Sequence, residues 1–99
     1  VPFIPTAMSG WDPRPWNERE FMTGDLMWYS RSPREVANFV SDAIDWTNLN
    51  QQLRPEPASV PPLVLIEAWN EFGEGSHVIP TAGDGTAYGD ALAAMLAGP

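Results

Sequence analysis

Ninety-nine residues hold one small domain at most, and 43% hydrophobic residues with 11% aromatics are too apolar for a disordered segment. Thirteen acids face five bases, all arginines, giving a net charge of −8. With no basic stripe to neutralise phosphates, nucleic acid and anionic membrane surfaces are excluded as partners, and zero cysteines exclude disulfides, thiolate zinc sites and a cysteine nucleophile.

In chain order, residues 1–6 read as a short extended segment, confined to an edge by Pro2 and Pro5, which donate no ladder hydrogen bond. Residues 7–31 form a long irregular stretch holding Trp11, Trp16, Trp28 and Tyr29. A loop of this length rich in aromatics points to function. Within it, Asp12 and Arg14 stand between Trp11 and Trp16, a composition suited to stacking on a sugar face while fixing its hydroxyls. The same residues also suit a rigid proline turn packed by tryptophans. Trp28 and Tyr29 could extend the same stacking platform, although Trp28 reads more as packing, and Trp46 reads as core.

Ser32-Pro33-Arg34-Glu35 starts a helix: Ser32 caps it, Pro33 suits the first helical position and Glu35 completes a capping box. Val36, Val40, Ala43, Ile44 and Thr47 follow at helical spacing, with Phe39 and Trp46 widening the apolar face, so the helix is predicted over residues 33–51. Residues 54–62 are a proline-rich connector that cannot continue it. Leu63 to Ala68 is an unalternating apolar run broken by Glu67, as in strands covered on both faces. Glu67 either faces a cleft or pairs with an arginine such as Arg14. A loop then runs to about Gly85, followed by a second helix with Tyr88, Ala91, Leu92, Met95 and Leu96 on one side.

The order strand, loop, helix, strand, loop, helix makes two βα units. Two parallel strands and two helices cannot bury both faces of a sheet, whereas a complete (β/α)8 barrel takes roughly 250 residues. The expected fold class is therefore α/β, a C-terminal βαβα fragment of a (β/α)8 TIM barrel, with residues 1–99 the C-terminal portion of one catalytic domain. The ends agree: Val1 opens in strand character and Gly98-Pro99 follow a helix directly, as expected of a fragment. The remaining barrel strands would then be this chain's partner. Barrel chemistry sits on the loops after the strands' C-terminal ends, where both aromatic stretches fall.

Candidate chemistry gathers in Trp69-Asn70-Glu71-Phe72-Gly73-Glu74-Gly75, directly after the apolar run. Glycoside cleavage needs one carboxyl to protonate the leaving oxygen and another as base or nucleophile, and Glu71 and Glu74 are the candidate catalytic pair. Trp69, Phe72 and the neighbouring glutamate would keep the acid protonated. Asn70 suits a sugar hydroxyl, donating and accepting through one amide. Trp69, Asn70, Trp11, Asp12, Arg14 and Trp16 are the candidate substrate-binding residues, for a carbohydrate substrate. His77 lies three residues after Glu74, but Gly73 and Gly75 oppose the helix that a metal motif of this spacing requires. Neither a metal nor a cofactor is expected.

On its two islands, Gly10-Trp11-Asp12 with Arg14-Pro15-Trp16-Asn17 and Trp69 to Gly75, the chain resembles the C-terminal part of glycoside hydrolase family 99 and the related WbsX-like proteins. The latter are often labelled glycosyltransferases and occur in bacterial polysaccharide loci. The resemblance implies a retaining endo-α-mannosidase-type reaction on a barrel, without cofactor. By it, Glu71 would take the proton of the sugar 2-hydroxyl, and Glu74 would be the general acid and then the base that activates water. Phe72 stands where the family commonly has tryptophan. Gly73 replaces the histidine of the mannosidases but agrees with the WbsX-like branch, while Glu67 and Ile79 depart at two further positions. Alternatives are a glycosidase whose acid/base is Glu71, a non-catalytic carbohydrate-binding or degenerate module, and a WbsX-like polysaccharide glycosyltransferase. As an isolated fragment the chain is expected to be inactive.

Overall fold

The computed structural model describes residues 1–14, 28–55 and 61–98. Its centre is a parallel pair, β1 (Thr6–Met8) beside β4 (Leu65–Glu67), in the register Thr6 to Leu65, Ala7 to Ile66 and Met8 to Glu67. Pro2 and Pro5 delay the first strand to Thr6, past the predicted residues 1–6, but Pro5 still accepts from the Leu65 amide at 3.0 Å. Between β1 and β4 lie β2 (Gly10–Trp11) and β3 (Tyr29–Ser30), an antiparallel pair, then helix α1 (Pro33–Leu49). The stretch expected to be irregular thus carries two short strands. After β4 come the antiparallel pair β5 (Asn70–Glu71) and β6 (Ser76–His77), and helix α2 (Ala87–Ala97).

Helix α1 forms for the reasons legible in its first turn. The Ser32 hydroxyl accepts from the Glu35 amide at 3.3 Å, and a Glu35 oxygen accepts from the Ser32 amide at 2.7 Å. Val36, Ala37, Val40, Ala43 and Thr47 are its buried stripe, and the Thr47 hydroxyl donates to the Ala43 carbonyl. The helix ends at Leu49, short of the predicted boundary, where Asn50 leaves helical geometry at φ −115°, ψ 48° while its side chain bonds the Trp46 carbonyl, and Gln51–Leu53 tighten into a 3-10 turn. Arg54 then donates to the Thr47 carbonyl, placing a cation over the helix's negative end. Helix α1 packs on β1 and on α2, and the Tyr88 hydroxyl of α2 donates to the Arg31 carbonyl at 2.6 Å.

The fold is therefore mixed α/β, with short parallel and antiparallel strands and two helices. Leu65 is 55% exposed and Leu63 45%, in keeping with two parallel strands and two helices being too few to bury both faces of a sheet. Among the described residues the parallel sheet has only two strands, so nothing there covers the second face of β4.

Candidate active site

Both chemistry-bearing islands leave the same end of the central pair. β1 runs through Ser9 into Gly10-Trp11-Asp12, and β4 runs through Ala68 into Trp69 and β5. Ser9 ties them: its amide donates to the Glu67 carbonyl at 2.6 Å, and its hydroxyl donates to the same oxygen at 3.1 Å. That hydroxyl also lies 3.0 Å from the Ser76 hydroxyl, and Ser76 is fully buried. With the Ser9 proton on Glu67, Ser76 is the donor between the two.

The acidic turn is shaped from within. Asn70 pairs with His77 and Glu71 with Ser76, while Phe72–Glu74 form a 3-10 turn closed by the Gly75 amide on the Phe72 carbonyl. Gly75 adopts a left-handed φ of 64°. The amides of Val78 and Ile79 both donate to the Trp69 carbonyl at 3.1 Å. Across the gap, the Asp12 amide donates to the Glu74 carbonyl at 2.6 Å. Gly10 lies so close to the Gly75 carbonyl that a Cβ on it would collide with that oxygen. The two islands are thus joined backbone to backbone.

On this frame Glu71 and Asn70 are exposed and Glu74 is half-buried. Trp69, 60% exposed, presents its indole beside them, and Phe72 is exposed too. Trp11 is half-buried. Asp12 and Arg14, read as hydroxyl-fixing groups, hold each other in a two-point pair of 2.7 and 2.6 Å. The Arg14 bonds keep the Asp12 carboxyl below its ordinary range. The Arg14 guanidinium also stacks 3.8 Å over the Trp28 ring. Trp28 is therefore a half-exposed platform for a cation and not the packing residue expected from the sequence. Glu67 contributes its carbonyl, which accepts from Ser9. Trp16 lies outside the described residues.

His77 packs between the Phe72 and Tyr88 rings with Nε2 3.4 Å from an Asp84 oxygen. Among the described residues no group of three or more His, Cys, Asp or Glu side chains could hold a metal ion. Sequence reasoning missed the Ser9–Ser76 bond and the Gly10–Gly75 contact. The signal available for the second was a glycine at the end of each segment where it meets the other.

Chemically, the arrangement offers two carboxyls three positions apart, an amide and an exposed indole on a turn braced to two adjacent strand ends. No curated protein and no solved structure matches the chain. The family model described as Glycosyltransferase WbsX matches residues 1–92, a span that includes both islands. The chain therefore belongs to the WbsX family, whose members are carbohydrate-active enzymes.

Proposed function

We propose that Glu71 and Glu74 cleave a glycosidic bond of a polysaccharide, and that residues 1–99 are the C-terminal βαβα portion of a (β/α)8 barrel. The observation carrying this reading is the junction of the two islands at one end of a parallel strand pair, through the Asp12 amide on Glu74 and Ser9 on Glu67. Loops at that end of a parallel barrel are where its catalysis occurs. The exposed Leu63 and Leu65 support the barrel, because parallel strands are ordinarily covered on both faces.

In the reaction that the resemblance to family 99 implies, Glu71 removes the proton of the sugar 2-hydroxyl. That oxygen attacks the anomeric carbon while Glu74 protonates the departing oxygen, leaving a 1,2-anhydro sugar and a shorter glycan. Glu74, now ionised, takes a proton from water as the water opens the anhydro ring, and Glu71 returns its proton to the 2-oxygen. Trp69 would stack on the sugar and Asn70 would hold a hydroxyl. Trp11, Asp12 and Arg14 would form the other wall.

An α-mannosyl fluoride tests the roles, because fluoride departs without an acid. In the complete protein, the first-step release of fluoride should be retained far better in Glu74→Gln than in Glu71→Gln, which loses about 100-fold or more. Larger retention in Glu71→Gln reverses the assignment. The matched family's description favours a second reading, a glycosyltransferase. That reading predicts consumption of a nucleotide sugar and no hydrolysis of the fluoride.

A further inference from the structure

The turn bearing Glu71 and Glu74 is braced from outside by a residue to which the reaction assigns no part. The His77 ring lies 5.2 Å from the Phe72 ring and 5.7 Å from the Tyr88 ring, centroid to centroid. Phe72 stands on the same short turn as both glutamates, next to Glu71. The third side of the imidazole is Asp84, whose Oδ2 lies 3.4 Å from Nε2 and also accepts from the Thr81 hydroxyl at 3.1 Å. Asp84 is itself fixed. Its amide donates to the Thr81 hydroxyl, and Thr81 and Gly85 exchange both backbone bonds around it. Tyr88 is anchored at its far end by its bond to the Arg31 carbonyl.

Among the described residues, no hydrogen-bond partner reaches the solvent-shielded His77 Nδ1. A hydrogen bond from Nε2 to Asp84 orients the imidazole as a plate against the Phe72 ring.

We propose that His77, oriented by Asp84, is a positioning residue that acts through Phe72 to hold the Glu71–Glu74 turn in its reactive geometry. The proposal rests on the reading of those glutamates as the catalytic pair. Displacing reacting groups by about 1 Å costs on the order of 100-fold in rate, so a loosened plate should appear in turnover before it appears in binding. The pieces also separate by chemistry. His77→Phe keeps a ring and loses the Nε2 proton, while Asp84→Asn keeps an acceptor oxygen and Asp84→Ala removes it.

The experiment is fluoride release from an α-mannosyl fluoride by the complete protein, with folded fractions matched by circular dichroism. His77→Phe and Asp84→Ala should lower kcat about 10- to 100-fold with KM within about 2-fold, and Asp84→Asn should restore kcat to within about 3-fold of the parent. An NMR cross-relaxation contact between the His77 and Phe72 rings should survive in Asp84→Asn and vanish in Asp84→Ala. If His77→Phe and Asp84→Ala turn over like the parent while Glu71→Gln is dead, the positioning role falls and the catalytic reading stands. If Glu71→Gln and Glu74→Gln both turn over normally, the catalytic reading falls and takes this proposal with it. A change confined to KM or to thermal stability also overturns the positioning role.

Discussion

Gly75 and Gly10 allow one backbone to pass against another, and each carries a different constraint. At Gly75 the chain turns through φ 64°, and a Cβ there would meet the Asp12 Cβ at 2.8 Å. At Gly10 the obstacle is the Gly75 carbonyl, a backbone oxygen that cannot rotate away. Gly75→Ala and Gly10→Ala should therefore each lower stability by about 2 kcal/mol or more, from strain at the first and collision at the second. Gly83→Ala, where nothing lies within 4 Å, is the matched control and should stay within about 0.5 kcal/mol of the parent. Thermal melts of the complete protein decide the matter, and a Gly10→Ala melt coincident with that of Gly83→Ala would remove the proposed junction. At this scale the sequence announced Trp69, Asn70, Glu71 and Glu74, because acids and an amide directly after an apolar run are conspicuous. It did not announce the Ser9–Ser76 bond. Two small polar residues 67 positions apart leave no periodic trace, and only the approach of the strand ends brings them together.

Helix α1 is the element whose start depends most visibly on a titrating group. The Ser32 amide and hydroxyl both bond Glu35, and these bonds hold the Glu35 carboxyl below its ordinary value of 4.5. A carboxyl whose folded pKa is depressed stabilises the fold fully above its unfolded pKa. That contribution disappears as pH falls through the folded value. Helix content should accordingly be flat above about pH 5 and decline below about pH 4. Glu35→Gln, which retains a neutral cap, should show a shallower decline by circular dichroism at 222 nm. Equal slopes in parent and variant would mean that the cap does not contribute to the acid transition. This helix was legible because capping box, proline and apolar spacing all agree within one segment. Its end was less so, since the Asn50 back-bond to Trp46 competes with one more helical residue on nearly equal terms. β2, β3, β5 and β6 escaped sequence reading altogether. Each has two residues, too few for any alternation, and pairs with a partner the sequence pattern does not mark.

Taken whole, the molecule has more surface than a self-sufficient domain of its mass. It exposes 7068 Å² at 10.9 kDa, where folded monomers of that size expose roughly 5,600 Å². Its radius of gyration is 15.9 Å, against about 13 Å for a compact chain of this length. Among the described residues, the buried apolar side chains Ala7, Val36, Ala37, Val40, Ala43 and Val78 are all small, whereas Phe3, Leu63, Leu65, Ile66 and Trp69 lie open. A core of alanines and valines contributes little transfer free energy per residue ordered. The isolated 99 residues should therefore unfold in urea over a broad, shallow transition. A complete barrel containing them should unfold cooperatively, with a slope that scales with its larger buried area. The opposite result has equal force. A sharp two-state transition with a slope of about 1 kcal/mol/M or more would show that these residues bury enough to fold alone. The exposed leucines would then have no missing strand to meet, and an autonomous carbohydrate-binding module would replace the barrel fragment as the better account of the same exposed indole and acidic turn.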